Sequence, residues 1–307
     1  MAQSVKGKTA IVTGAGSGIN FCFVKLLLEH GCNCVLADLA LRPEAKELVL
    51  KYSASAPRAI FQPTDVTDWS QLETMFKAAE EEFGEVDIVC PGAGVYEPVR
   101  SNGSRDSPAG SRYAQLDINL VHPIRTTQLA ISKFANSRTP KSIIHISSIA
   151  GQIGSLSTPL YSATKHAING FVRSLAKLDK IGIRVAAVAP GFIKTPLWTE
   201  SIDKMRMVDE SKDEWVTPED VALVMLALIE RDQISESILA EPKGEGVMIP
   251  IKGGTILEVS KSVRKVSSFN DPGPLGRPGN SMGDHRAAEE GFLELVQSGS
   301  WGEAAKN

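Results

Sequence analysis

The chain is short of three things: cysteine, net charge and long apolar runs. Its four cysteines, Cys22, Cys32, Cys34 and Cys90, all fall in the first third of the 307 residues. Cys32 and Cys34 are separated by one residue, which suits neither a Cys-x-x-Cys metal knuckle nor a disulfide framework. They are expected to be free, buried thiols, which fits a reducing compartment, and no metal is expected. The formal net charge is only −3, so there is no basic footprint for a nucleic acid. No stretch approaches the roughly 18 apolar residues of a membrane helix, and "MAQSVKGKTAIVTG" has no apolar run before Thr9. The expectation is a cytoplasmic protein with neither membrane nor nucleic-acid partner. There is no internal repeat. Apolar residues make up 42% of the chain, enough for a sizeable core.

The order of the apolar segments is regular. "KTAIVTG" (8–14), "CNCVLADL" (32–39), "RAIFQPTDV" (58–66) and "VDIVCPGAG" (86–94) read as buried strands. Helical patterns separate them: 19–31, 43–53 and 70–86, the last opened by a Ser70 cap. A long helix over about 113–136, a strand at 141–148, a helix over about 158–180 and a strand at 183–191 follow. Thr217 and Pro218 open a helix to 231, and "GVMIPIKGG" (246–254) reads as a last strand. Strands alternating with helices predict an α/β fold: a Rossmann-like doubly wound parallel sheet of about seven strands with helices on both faces. Residues 1–259 form one domain in this reading. Residues 260–307 form a Gly- and Pro-rich extension in which 286–304 can hold a short amphipathic helix with Phe292, Leu293, Leu295, Val296 and Trp301.

"TGAGSGIN" (13–20) follows the first strand and opens the first helix. Glycines there let the backbone approach a pyrophosphate, and the helix N-terminus supplies free N–H groups. The strict G-x-G-x-x-G pattern fails, because Ile19 stands where the third glycine belongs. Asp38 ends the second strand, 20 residues after Gly18. A carboxylate there accepts hydrogen bonds from a ribose diol and repels a 2′-phosphate, which favours NAD over NADP. Arg42 is the one base nearby.

"YSATKH" (161–166) places Tyr161 and Lys165 at i and i+4, on one helix face. An ammonium beside a phenol favours phenolate and moves the tyrosine toward the working range of a general base. Ser148, thirteen residues before Tyr161, ends the strand "IIHISS". Carboxyl ends of strands border the ligand crevice in such sheets. His145 and His166 read as packing groups.

The whole set resembles the classical short-chain dehydrogenases/reductases over roughly residues 5–257. The glycine loop follows that family's T-G-x-x-x-G-x-G, except that its final glycine is Asn20. The resemblance implies four catalytic positions. Tyr161 is the acid/base, Lys165 lowers its pKa and binds the nicotinamide ribose, and Ser148 orients the reacting oxygen. Asn119, in "LDINLV", matches the asparagine that holds a water in a proton relay. It further implies coenzyme contacts at Gly14, Gly16, Ser17, Gly18, Ile19 and Asp38, at Asp65 and Val66 beside adenine, and at Ala93 and Gly94. Pro190, Gly191, Ile193 and Thr195, in "PGFIKT", complete them around the nicotinamide. The family's Asn-Asn before Ala-Gly is Pro91-Gly92 here, a second departure.

After Pro190-Gly191 the family has a lid. Here it spans roughly 194–216 with Leu197, Trp198, Met205, Met207 and Trp215, which suits a bulky, mostly apolar substrate. Tyr96, in the loop 95–112, borders the same mouth. "SATKHAINGFVRSLA" is similar, more loosely, to the 15-hydroxyprostaglandin dehydrogenase-like branch. That implies NAD-dependent oxidation of a secondary alcohol and would suit a dehydrogenase of secondary metabolism. A homodimer or homotetramer packed through the helices near 113–136 and 158–180 is also implied. Ketone reduction with NAD(P)H at the same site, and a non-redox isomerase or cyclase of the same fold, remain as alternatives.

Overall fold

The computed structural model describes residues 2–96, 112–135, 137–206, 208–209, 211–240, 246–268 and 285–298. Strands β1 (Thr9–Thr13), β2 (Asn33–Asp38), β3 (Ala59–Pro63), β4 (Ile88–Cys90), β5 (Lys141–Ile146) and β6 (Ile183–Pro190) join β9 (Ile256–Val259) in one parallel sheet. A final strand, β10 (Val263–Lys265), runs antiparallel to β9 at its edge. The order is β10-β9-β6-β5-β4-β1-β2-β3. The chain therefore winds outward from β1 to β3, then returns to the other side of β1 as β4. A ligand crevice forms where the order reverses, beyond the carboxyl ends of β1 and β4.

Strand residues alternate between two cores because successive side chains point to opposite faces. Ala10 and Val12 join one cluster and Ile11 the other. Helices α1 (Gly18–Glu29), α2 (Pro43–Lys51) and α9 (Pro218–Glu230) cover the first face through residues such as Phe23, Leu27, Leu48 and Val224. Helices α3 (Trp69–Phe83), α5 (His122–Phe134) and α6 (Pro159–Ser174) cover the second through Phe76, Phe134 and Ile168. Between β4 and α5 lie the short α4 (Ala114–Leu116) and a π turn, Asp117–Val121. The lid holds α7 (Pro196–Thr199) and α8 (Ile202–Met205). The tail helix α10 (His285–Gln297) docks on the second core, where Val296 is fully buried and Phe292 and Leu293 pack against it. Trp301 lies outside the described residues.

Two expectations are corrected, the cap of α3 and the last parallel strand. Helix α3 is capped by Asp68, whose carboxylate accepts from Ser70 N and Gln71 N, so Ser70 is a capped position and not the cap. The anionic carboxylate is the stronger acceptor at a helix N-terminus. The stretch 246–254 does not supply the last parallel strand. Its β8 (Met248–Pro250) pairs with β7 (Gln233–Ser235) in a separate ribbon. Pro250 has no N–H for a central ladder, whereas β9 is apolar enough to be buried on both faces. The β9–β10 hairpin crosses position 259, so the sheet continues to Lys265.

The amino ends of the strands carry buried charge. Lys141, 1% exposed, contacts Asp87 at 2.7 Å and Glu85 at 2.8 Å, and Asp87 also accepts from Lys8 at 3.1 Å and from Thr9 N. Arg184 donates to the carbonyls of Leu228 and Arg231 and to Asp232. These ions tie strand to strand, far from the crevice. Removing one partner of a buried pair leaves an uncompensated charge. Lys141→Met is expected to cost about 3 kcal/mol, seen in urea unfolding as a lower midpoint with an unchanged slope. An unchanged midpoint would mean that Lys8 alone satisfies Asp87.

Candidate active site

A continuous cleft of about 470 Å³ opens at the carboxyl ends of β1, β4, β5 and β6. At one end stand Asp38, Asp65 and Val66; at the other, Ser148, Tyr161 and Lys165. Gly14, Ser17, Gly18 and Ile19 form the floor between them, faced by Ala93 and Gly94 and closed by Pro190, Gly191, Ile193 and Thr195. Of the catalytic and coenzyme-contact residues expected from sequence, Gly16 and Asn119 are not in this lining, and of the expected mouth residues Leu197 and Trp198 are in it while Tyr96, Met205 and Trp215 are not.

The backbone fits a dinucleotide. Gly14 and Gly18 have φ of 69° and 61°, a region that only glycine adopts freely. A Cβ on Gly16 would stand 2.4 Å from Ala40 O and 2.9 Å from Asp38 Oδ2. The loop can therefore carry no side chain there, and its Gly16 N–H donates to Asp38 Oδ2 at 2.8 Å. Asp38 Oδ1 accepts from Leu39 N at 2.7 Å. The carboxylate is thus locked at the cleft edge. Ser17 caps α1 without a side-chain bond, and there is no acid in the first turn, which leaves the helix N-terminus open to an anion.

Two further residues shape the walls. Thr13 Oγ1 accepts from Ala93 N and bonds His122 Nε2, both at 3.1 Å, while His122 Nδ1 bonds Ile118 O at 3.1 Å. Burial holds His122 at about 4, so it serves as a neutral strut. Arg42, noted from sequence only as the base near Asp38, makes a bidentate pair with Glu200, just after α7, which joins the β2 side of the cleft to the lid. The sequence signal for His122 was a lone histidine, a type too common to single out.

At the chemical end, α6 begins with Pro159 and places Tyr161 in its first turn. Ser148 hydrogen bonds the Tyr161 phenol, and its Oγ also accepts from Ala150 N at 3.2 Å. Neighbouring Ser147 is instead directed back to Lys165 O at 3.3 Å, so of the two hydroxyls Ser148 is the one on the Tyr161 phenol. Lys165 Nζ donates to Ile146 O at 2.8 Å and lies 5.5 Å from the Tyr161 ring centroid. Asn119 sits in the π turn, where its amide clamps Val95 through N–H to Oδ1 and Nδ2 to O, both 2.8 Å. Its side chain holds the Gly94–Val95 wall.

The electrostatics reverse one expectation. The ammonium was expected to hold the phenol down. Burial instead pushes Tyr161 up to about 12; the Ser148 bond pulls against it and Tyr96 pushes further. Burial brings Lys165 down to about 8. In both groups burial disfavours the charged form. The histidines behave as packing groups: His145 bonds Thr127 and burial holds it at about 3, and His166 bonds Ser162 O.

The mouth is aromatic. Tyr96 meets Tyr161 edge-on at 4.8 Å and Trp198 at 5.1 Å; Phe192 stacks on Trp215 at 3.9 Å. Met207 and most of the loop 95–112 lie outside the described residues. Among the described residues, no helix is long and apolar enough to cross a membrane. None of their His, Cys, Asp and Glu side chains cluster as a metal site. All four cysteines are free.

Comparison with known proteins agrees with this geometry. The short chain dehydrogenase family model matches residues 8–206, and the chain belongs to that family, as an oxidoreductase of CH–OH groups. It is 33% identical over 261 residues to 15-hydroxyprostaglandin dehydrogenase [NAD(+)] of Rattus norvegicus, covering 79% of this chain and 94% of that one. It is also 33% identical over 198 residues to cis-4-hydroxycyclohexanecarboxylate dehydrogenase of Sinomonas cyclohexanicum, covering 64% and 78%. Among solved structures, a short-chain dehydrogenase/reductase (glucose/ribitol dehydrogenase) from Brucella melitensis matches with TM-score 0.63 and 28% identity, over 75% of this chain and 92% of that one.

Lys165 carries a stability cost that can be read directly. Its folded pKa, about 8, lies below the unfolded value near 10.5. Below pH 8 both states are protonated and the burial penalty is fully present. As pH rises from 8 to 10.5 the unfolded chain holds more protons, so stability rises. Lys165→Met is therefore expected to be more stable than wild type at pH 7, with the gap narrowing across pH 8–10.5. The comparison cancels Tyr161, which titrates in both proteins. Parallel urea curves at several pH values test this; a constant gap would show that Lys165 is not desolvated.

Proposed function

We propose that the protein oxidises a secondary alcohol on a bulky, mostly apolar small molecule, with NAD as acceptor. One observation carries the reading: Ser148, Tyr161 and Lys165 converge at one end of the cleft whose other end is marked by the locked Asp38 carboxylate. That carboxylate disfavours a 2′-phosphate, and Arg42, the nearest cation, is engaged by Glu200. The relatives' substrates, a 15-hydroxyprostaglandin and a hydroxycyclohexanecarboxylate, carry an alcohol on an apolar frame, as the aromatic mouth suits. The lid's Trp198 and Trp215 would cover that frame.

In this reading Ser148 Oγ bonds the substrate oxygen, and Tyr161, once its own phenol proton has left to solvent, receives the hydroxyl proton at Oη as phenolate. NAD, when bound, would supply the hydride acceptor and a positive charge. Lys165 would hold its ribose and add its own charge at the phenol. Gly14 to Ile19 would hold the pyrophosphate, and Thr195 with Ile193 the nicotinamide. Asn119 keeps the wall at Val95 in register. A phenol near 12 rests protonated, which is the form that donates to a ketone. Reduction at the same site is the second reading. A cytoplasmic homodimer or homotetramer completes the proposal.

The test is to follow reduced nicotinamide by absorbance with NAD and NADP over a panel of secondary alcohols, and the reverse with ketones. NAD is expected to be preferred, and Tyr161→Phe to lower kcat/KM by about 10² to 10⁴ while NADH still binds. Binding without turnover in either direction, unaltered by Tyr161→Phe, would overturn the redox reading.

A further inference from the structure

Two departures from the family pattern, Asn20 in the glycine loop and Gly92 before Ala93, occupy one place in the structure. A Cβ built on Gly92 would stand 2.3 Å from Asn20 Oδ1, 2.7 Å from Asn20 Nδ2 and 2.8 Å from its Cγ. Real Cβ atoms do not approach that closely, so a side chain at 92 fits only if the Asn20 amide moves out of the place it holds. The backbone at 92 is no obstacle, because Gly92 is not among the positive-φ glycines. What demands glycine there is the asparagine reaching over from α1. Asn20 is 7% exposed and lines the cleft. It also lies against the glycine loop, where a Cβ on Gly14 would stand 3.0 Å from Asn20 Nδ2. From the strand side Cys90 Sγ approaches its Oδ1 at 3.9 Å.

We infer that the departures are one reciprocal exchange: the asparagine amide is delivered from position 20 of the helix in place of position 92 of the wall. There Asn20 is a positioning residue for the coenzyme. Its amide is wedged between the loop leaving β1 and the loop leaving β4, and sets the spacing of the two walls that would hold the dinucleotide. The first half of the inference rests on packing alone; the second rests on the NAD reading above. Glycine at 20 with glycine at 92 leaves a void between the walls, and asparagine at both puts two amides in one volume. Asparagine at 92 with glycine at 20 restores one amide.

The experiment is a double-mutant cycle on the full chain: Asn20→Gly, Gly92→Asn and the pair together. Asn20→Ala is added because it removes the amide without a clash. Thermal melting is measured without ligand, NADH binding by fluorescence, and KM and kcat for NAD. Gly92→Asn is expected to lower the melting temperature or fail to fold, and the pair to recover it. Asn20→Ala is expected to weaken NADH binding and raise KM for NAD by roughly tenfold, with a smaller change in kcat. The pair should return both, a coupling within the range of residues in contact. If the pair melts no higher than Gly92→Asn, or is also unfolded, the exchange is wrong. If melting is rescued but Asn20→Ala leaves NADH binding unchanged, Asn20 only fills space and its positioning role falls. Wild type that binds no NADH would remove the coenzyme reading and with it that role, while the melting arm still decides the exchange.

Discussion

The close approach of two loops at the sheet's reversal point is the constraint from which the rest of the site follows. β1 and β4 are neighbours in space but separated in sequence by two β-α units, and the loops that leave them share one narrow volume. A Cβ on Gly14 would stand 2.7 Å from Ala93 Cα. The glycine in β1's loop is therefore required by β4's loop as much as by its own φ. Thr13 fixes the second loop by accepting from Ala93 N, and His122 fixes Thr13. Asn119 continues the brace one step outward at Val95. The cleft walls are thus set by strand ends, a π turn and buried side chains rather than by mobile loop contacts.

The same burial that makes the cleft rigid sets its electrostatics. Burial of Lys165 and partial burial of Tyr161 at the cleft wall shift each toward its neutral form. Within the chain's own groups, this leaves an acid too weak and a base too readily neutralised for a stable phenolate–ammonium pair. In the proposed mechanism, positive charge brought by a bound coenzyme would offset this shift at Tyr161. The lysine's burial opposes folding, and its place is set by the Ile146 carbonyl at the site, not by any gain in stability.

Much of this was legible in the sequence, and for identifiable reasons. The parallel strands were readable because both faces are buried, so each is a continuous apolar run; β6 is buried at every position. The glycine loop, Asp38, Ser148, Tyr161 and Lys165 were readable because their spacing is local. What was missed is long-range or electrostatic. β8 looked like a core strand because "MIPI" is apolar, and only Pro250's missing donor and the pairing with β7 distinguish it. The cap of α3 went to Asp68 over Ser70 by two residues, a choice between two good cap types. The direction of the Tyr161 shift could not be read from i, i+4 spacing, since spacing gives proximity and not depth.

The two family departures show how a pattern can mislead when positions are read one at a time. Asn20 alone looks like a lost glycine contact, and Gly92 alone looks like a lost amide. Each suggests a weakened site. Placed in the fold they face each other across the cleft wall, and the side chain absent from one is present in the other. The quantity that the sheet's geometry constrains is the content of that volume, not the identity of either residue. Reading a motif in this fold therefore means asking which residues fill the space between β1's loop and β4's loop, and any chain that fills it from either side meets the same physical demand.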